Sequence, residues 1–331
     1  MARASRERRE GLLLLASALV VLGGAAAARR SPSAPPAAAS PGSVPGLGLP
    51  PPLPSGAPPR ALEDLPADDE RAAGCHFAER GFGDYGGWRK LPLGRALVPE
   101  GRAVAADGSF RLLVHFHGAE PVRKQLAPEG FDLVVAAVDA GVGSRAYERA
   151  VADPAVFDQL VAGVEAEVAA ANGLGAAHAR TIVLSSWSAG YGAVGPILAR
   201  EAARVSAVVL LDSLYAGYAA GRTVERATLA PFLDAARAAR GGGAPFYLAH
   251  TAIATPGYAS TSEVASFLMA ELGVAPAAVD EGSPLVRSFE DGHLSVRGYA
   301  GADRDAHCAA LHLLPAVLRD TVLPALRSPS P

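Results

Sequence analysis

The sequence contains little lysine and little cysteine. Of its 30 basic residues only Lys90 and Lys124 are lysines, and its two cysteines are Cys75 and Cys308. Two cysteines exclude a disulfide-rich scaffold and a zinc site built from several cysteines. The 33 acidic residues nearly balance the basic ones and the later chain has no basic stripe, so no nucleic-acid partner is expected.

Apolar residues, in contrast, are plentiful. Hydrophobic residues make up 50% of the 331 residues, which is enough for a folded core and excludes disorder throughout the chain. This length accommodates one large domain or two ordinary ones.

The first 28 residues have the pattern of a secretory signal peptide. Arginines near the start precede an apolar run over residues 12–22, and small Gly and Ala residues follow it. The run is shorter than the ~20 residues that cross a bilayer. We therefore expect cleavage and a secreted or periplasmic protein. An uncleaved segment would instead tether the protein to a membrane.

A linker rich in Pro and Ala is predicted over residues 29–60. Residues 31–60 hold 11 of the 27 prolines and almost no charge. Proline restricts the backbone and removes hydrogen-bond donors, so such a stretch is typical of an extended, disordered spacer. The folded domain is then expected over residues 61–331.

Apolar runs alternate with helical patterns in that domain. Strands are predicted at 110–116, 131–138, 181–185, 206–211 and 245–249. Helices are predicted at 146–171, 192–204, 223–240, 260–272 and 306–327. The helix at 260–272 is expected to start with a capping box of Ser260 and Glu263, and the last helix is expected to be kinked at Pro315. A hairpin of strands 285–290 and 293–299 is predicted around Asp291 and Gly292. The alternation predicts one α/β domain with a mostly parallel central sheet flanked by helices.

The most specific motif follows the strand at 181–185. In the stretch from Ser186 to Gly192, Ser188 has small residues two positions to either side, Ser186 and Gly190. Small residues at these positions allow a sharp turn from strand to helix that exposes the serine hydroxyl. A helix N-terminus behind that turn would favour a developing negative charge.

This motif resembles the nucleophile elbow G-x-S-x-G of the α/β-hydrolase superfamily, with Ser186 in place of the first glycine. The chain looks most like secreted bacterial serine esterases and lipases. The resemblance implies a secreted serine hydrolase that cleaves carboxylic esters through an acyl-enzyme. It also implies a small-molecule or lipid-like ester substrate and no cofactor.

A catalytic triad of Ser188, Asp212 and His307 follows from the resemblance. The superfamily order is serine, acid, histidine, and its base follows the last strand, where His307 lies. Asp212 ends the strand after the nucleophile's strand, a position where some lipases of the superfamily carry the acid. Asp303 and Asp305 remain alternatives for the acid.

The resemblance also implies an oxyanion hole made by the N–H groups of Ala189 and Ala119, with Gly118 allowing the turn. The neighbouring Glu120 is expected to point outward or to select a cationic substrate. Candidate pocket residues are His117, Trp187, Tyr191 and His250. In an exported protein Cys75 and Cys308 are expected to form one disulfide.

Two other functions remain open at this point. His115 and His117 are separated by one residue on a strand, which would place both side chains on the same face. Together with Asp139 they could serve as ligands in a metal-dependent hydrolase. A non-catalytic binding module of the same fold is the second alternative, since fold alone does not establish activity.

Overall fold

The computed structural model describes residues 76–279 and 283–327. These residues all belong to one of the two units into which the chain divides, Arg60–Pro331. The predicted signal segment (1–28), the predicted linker (29–60) and Cys75 lie outside the described residues.

The strands of the described chain form a single ten-stranded sheet. The strands are β1 (Arg89–Lys90), β2 (Arg95–Leu97), β3 (Ser109–Phe116), β4 (Val134–Val138), β5 (His178–Trp187), β6 (Ala207–Leu211), β7 (Phe246–His250), β8 (Ala277–Ala278), β9 (Leu285–Asp291) and β10 (Leu294–Tyr299). Their order is β1-β2-β4-β3-β5-β6-β7-β10-β9-β8. The strands from β4 to β10 in this order run parallel, and antiparallel strands complete both edges.

Helices connect these strands. They are α1 (Ala119–Leu126), α2 (Ser144–Ala150), α3 (Pro154–Asn172), α4 (Tyr191–Glu201), α5 (Ala230–Arg240), α6 (Thr261–Glu271), α7 (Arg304–Leu311), α8 (Leu314–Val317) and α9 (Leu323–Ala325). The sheet with its crossover helices confirms the predicted α/β architecture.

The hydrophobic core lies on both faces of the sheet. On one face, side chains of β3 such as Leu112 and Val114 pack with residues of α2 to α6. On the other face, Leu113 packs with residues of α1 and α7 to α9. Because both faces are covered, the central strands are continuously apolar rather than alternating.

Most predicted elements are present with shifted ends. All five predicted central strands occur, and the hairpin around Asp291 and Gly292 pairs antiparallel. The capping box of Ser260 and Glu263 is formed at the start of α6. These predictions are confirmed.

Three helix predictions are wrong in detail. The helix predicted at 146–171 is two helices, because the Asp153 side chain caps a new start at Pro154. The helix predicted at 223–240 begins only at Ala230. The last helix is divided into α7, α8 and α9, with a π-helical turn at Leu318–Val322, and Pro315 lies in the first turn of α8.

The segment Arg304–Ala325 is long and apolar enough to cross a membrane by length and composition. Its side chains Leu311, Leu314 and Leu318 are, however, buried in the core beneath the sheet. This burial is what a core helix of a globular domain shows.

Candidate active site

Ser188 lies on a sharp turn between β5 and α4. The strand ends at Trp187 and the helix starts at Tyr191, with a 3₁₀ turn over Ser188–Gly190 between them. Ser188 has φ 51°, a left-handed conformation that is strained for a residue with a side chain. A Cβ atom at Gly190 would lie 2.1 Å from the carbonyl oxygen of Phe116, so this position requires glycine.

The serine that replaces the first glycine of the motif is held by hydrogen bonds. Ser213 Oγ donates to the carbonyl oxygen of Ser188 at 2.8 Å and lies 2.8 Å from Ser186 Oγ. Because Ser213 has one hydroxyl proton, Ser186 is the donor of the second bond. The extra hydroxyl of Ser186 therefore helps to fix the turn instead of obstructing it.

Asp212 and His307 form a hydrogen-bonded pair. Asp212 directly follows β6 and is 0% exposed, and His307 lies near the start of α7. His307 Nδ1 donates to Asp212 Oδ2 at 2.6 Å. Since Nδ1 makes this bond, Nε2 is the ring nitrogen that is turned away from Asp212.

Two threonines complete the surroundings of the Asp212 carboxylate. The Thr251 N–H donates to Oδ1 at 2.9 Å, its hydroxyl lies 3.0 Å from both oxygens, and the Thr261 hydroxyl donates to Oδ1 at 2.6 Å. Burial acts to raise the pKa of Asp212, but the hydrogen bonds from His307, Thr261 and Thr251 outweigh it and lower that pKa. Asp212 is therefore ionised at neutral pH.

Trp187 connects this pair to the serine turn. Its Nε1 donates to the carbonyl oxygen of His307 at 3.0 Å, and its ring stacks on the His307 ring with centroids 4.8 Å apart. Because Trp187 precedes Ser188, the contact brings His307 beside the turn. In the described chain Ser188 and His307 share no direct hydrogen bond. Catalytic hydrogen bonds of this kind are often long in the absence of substrate and shorten when substrate binds.

A cavity of about 550 Å³ opens at Ser188. Its wall includes the predicted residues His117, Ala189 and Tyr191, together with Tyr215 and Tyr258. The cavity lies at the carboxyl ends of the parallel strands, the edge where α/β sheets bind ligands, and its volume suits a small molecule.

The chain has been compared with known proteins at the level of sequence and structure. No protein-family model and no curated protein sequence matches it. Solved structures that resemble it include a thermostable esterase (14% identity, TM-score 0.39, covering 68% of this chain and 57% of that chain). Another is a structure named FAE (12% identity, TM-score 0.39, covering 67% of this chain and 81% of that chain). A third is the ferric enterobactin esterase (fes) of Salmonella typhimurium (16% identity, TM-score 0.39, covering 69% of this chain and 55% of that chain).

The chain thus spans little more than half of the thermostable esterase and of the enterobactin esterase. Its own sheet order and the strained serine after β5 characterise the fold. The domain has an α/β-hydrolase-type fold.

Within this hydrolase-type fold, the predicted second oxyanion donor has another partner. The N–H groups of Gly118 and Ala119 donate to the Asp139 carboxylate at 2.8 Å and 3.2 Å. The N–H of His117 donates to the carbonyl oxygen of Val138. In this arrangement Ala119 does not offer its N–H to a substrate, contrary to the prediction, because Asp139 occupies the start of α1.

Glu120 points away from the cavity. Its carboxylate accepts from Trp88 Nε1 at 2.6 Å and Arg95 at 2.9 Å, and from Arg123 at 2.6 Å. Of the two expectations for Glu120, the outward orientation is therefore confirmed.

The two histidines proposed as metal ligands do not face one site. His115 is fully buried, where its Nε2 donates to the carbonyl oxygen of His117 and its Nδ1 accepts from Ser185 Oγ. His117 has left-handed φ 77° after the end of β3, so the alternation of a strand no longer applies. Within residues 76–279 and 283–327, no group of acidic, His or Cys side chains could hold a metal.

Two of the predicted pocket residues lie elsewhere. Trp187 is 4% exposed and packs in the core between histidine rings instead of lining the cavity. His250 is 3% exposed and accepts from Arg287 Nε at 2.9 Å, beside a different cavity. Burial, with a smaller contribution from Arg287, lowers the pKa of His250 to about 4. Neither residue is among those described that line the cavity at Ser188.

The alternative acids have other surroundings. Asp303 caps α7 by accepting from the N–H of Ala306 at 2.9 Å, and Asp305 is exposed in the first turn of α7.

Cys308 is 5% exposed and disulfide-bonded, and its predicted partner Cys75 lies outside the described residues.

Sequence reasoning missed several residues that shape the site. They are Tyr147, Ser213, Thr251 and Thr261, whereas Asp139 was considered only as a metal ligand. Thr251 and Ser213 lie just after strand ends, a position that could have drawn attention to them. Tyr147 and Thr261 belong to helices, and nothing in the sequence distinguishes them.

Proposed function

We propose that this protein is a secreted serine hydrolase that cleaves carboxylic esters through an acyl-enzyme. The observation that carries the proposal is the 2.6 Å hydrogen bond between His307 and the buried Asp212, at the same sheet edge as the strained Ser188. A serine is a weak nucleophile unless such a base and its orienting acid accompany it.

In the proposed reaction Ser188 Oγ attacks the ester carbonyl carbon while His307 Nε2 takes the hydroxyl proton. The resulting tetrahedral intermediate collapses when His307 gives that proton to the departing alkoxide, which leaves as the alcohol. Water then attacks the acyl-enzyme by the same route and releases the carboxylic acid and free Ser188. Asp212 stays ionised throughout and stabilises the protonated imidazole.

We assign the oxyanion contacts to the N–H of Ala189 and the imidazole of His117. His117 lines the cavity beside Ser188. Its ring is oriented by the Tyr147 hydroxyl, 2.7 Å from Nδ1, and by stacking on Trp187. If the Tyr147 hydroxyl donates to Nδ1, the ring proton of His117 is on Nε2. Nε2–H can then donate a hydrogen bond to a carbonyl oxygen. His117→Ala should lower kcat by about 10²-fold with little change in KM, and an unchanged kcat would refute this assignment.

The proposed chemistry is tested by labelling with a fluorophosphonate probe. The full chain should be labelled at Ser188 and hydrolyse a short acyl ester, and Ser188→Ala should lose both properties. A chelator should have no effect. Chelator-sensitive hydrolysis that survives Ser188→Ala would favour the metal alternative, and the absence of both labelling and turnover would favour a non-catalytic binding module.

Export is proposed from the sequence pattern of residues 1–28. Expression of the whole chain in a bacterial host should deliver it beyond the inner membrane with a new N-terminus near residue 28. An intact N-terminus in the membrane fraction would indicate a tether, and retention of the full chain in the cytoplasm would refute export.

A further inference from the structure

In the part of the chain that the structure describes, the wall of the cavity at Ser188 carries one formal charge. Arg145, the second residue of α2, lines the cavity together with Ser188 and is exposed. In the described chain no ion pair or hydrogen bond engages its guanidinium. Among residues 76–279 and 283–327, no acidic side chain lines the cavity. The nearby carboxylates, Glu148 beside Tyr191 and Glu225 against Gly217, lie outside the wall.

Three tyrosines, Tyr191, Tyr215 and Tyr258, form another part of the wall. The rings of Tyr191 and Tyr215 lie 5.8 Å apart and tilted, and those of Tyr215 and Tyr258 lie 5.5 Å apart edge to face. Tyr258 is 47% exposed, which leaves ring surface open to a ligand. Aromatic surfaces in this arrangement favour a further planar ring packed against them.

Other kinds of ligand fit this wall less well. The described lining contains no Asp, Glu, Asn or Gln, so the hydroxyl groups of a sugar would find no carboxylate or amide partner there. A cationic ligand would meet Arg145 without a compensating carboxylate. A long alkyl chain would offer the guanidinium no hydrogen-bond acceptor.

We propose that the cavity selects esters that carry both an aromatic ring and a carboxylate group, with Arg145 pairing with the carboxylate and the tyrosines packing on the ring. The inference rests on the proposed function. Arginine suits this role because its planar guanidinium donates two parallel hydrogen bonds to a carboxylate.

The experiment measures binding to the full chain carrying Ser188→Ala, in which the proposed hydrolysis cannot occur. Monomethyl terephthalate should bind at least about tenfold more tightly than methyl benzoate by calorimetry, because one charge-assisted contact is gained. Monomethyl adipate, an anionic ester without a ring, should bind more weakly than monomethyl terephthalate.

The variants separate the charge from the ring surface. Adding Arg145→Gln should remove the preference for monomethyl terephthalate, whereas Arg149→Gln, on the exposed surface of the same helix, should keep it. Tyr258→Ala should weaken both aromatic esters, and Tyr258→Phe should not. Equal affinity for the anionic and neutral esters, no measurable binding of either, or an unchanged preference in Arg145→Gln would overturn the inference.

This outcome is distinct from failure of the proposed function. If the wild-type chain is labelled by the fluorophosphonate at Ser188 but shows no preference for the anionic aromatic ester, the inference fails and the hydrolase stands. If binding shows the preference but the chain is neither labelled nor active, the cavity is a binding site and the hydrolase proposal fails.

Discussion

Asp212 receives hydrogen bonds from three separate segments of the chain. His307 comes from α7, Thr261 from α6, and Thr251 from the loop after β7. The carboxylate is thus fixed in position while its own contact fixes the imidazole of His307. The geometry of the site therefore depends on a charged acceptor at this position.

Asp212→Asn should reduce kcat by about 10⁴-fold, because an amide can present a donor to His307 Nδ1 and so stabilise the wrong tautomer. Hydrolysis of a short acyl ester and the rate of fluorophosphonate labelling are the measurements. Asp303→Asn is the matched control, since asparagine also caps a helix and activity should be kept. Loss of activity in Asp303→Asn with full activity in Asp212→Asn would assign the acid to Asp303 instead.

Single residues were predictable from the sequence where a motif or a strand end identified them. Ser188 was identified by the small residues around it, and Asp212 and His307 by the order and positions of the triad that the resemblance implies. Asp139 was not identified as the acceptor for the N–H groups of Gly118 and Ala119, because that contact joins the ends of two neighbouring strands. Contacts of this kind have no local sequence signal.

At the scale of elements, the turn from β5 to α4 passes very close to the end of β3. Gly190 approaches the carbonyl oxygen of Phe116 so closely that no side chain fits between them. The angle at which Ser188 is presented therefore depends on the packing of two neighbouring strands as well as on its own turn.

Gly190→Ala should destabilise the fold and displace Ser188, because the new methyl group would lie 2.1 Å from the Phe116 carbonyl oxygen. A loss of about 1–3 kcal/mol in the free energy of unfolding is expected, with a larger loss of activity than of stability. Urea unfolding and ester hydrolysis measure the two effects. Gly175→Ala, with open space around the position, should change neither. A fully active, stable Gly190→Ala protein would contradict this account of the turn.

The sequence predicted the central strands because their runs are continuously apolar, as strands covered on both faces must be. The short strands β1 and β2 were missed, since two or three residues carry no periodic pattern. The break between α2 and α3 did have a signal, because Asp153 and Pro154 are typical of a helix start. The alternation expected for His115 and His117 failed because the strand ends between them.

At the scale of the whole molecule, the buried His250 couples stability to pH. Its pKa is lowered from 6.5 to about 4, so the unfolded chain binds a proton in this interval that the folded chain does not. Since the folded pKa is the lower one, stability should fall as the pH decreases through this interval, by roughly 3 kcal/mol in total.

Urea midpoints at about pH 7 and pH 5 measure this effect, with His250→Gln compared with the wild-type chain. Between pH 7 and pH 5 the stability of His250→Gln should decrease less than that of the wild-type chain. The exposed control His178→Gln should show the same decrease as the wild-type chain. An identical decrease in all three proteins would show that protonation of His250 does not limit stability.

The stacking of Trp187 on the rings of His117 and His307 has an optical consequence. A protonated imidazole quenches the emission of an indole with which it is in contact, so Trp187 fluorescence reports the charge on both histidines. The sequence contains only one other tryptophan, Trp88, which hydrogen-bonds to Glu120. In a chain with Trp88→Phe, the emission spectrum therefore becomes an intrinsic gauge of protonation beside Ser188.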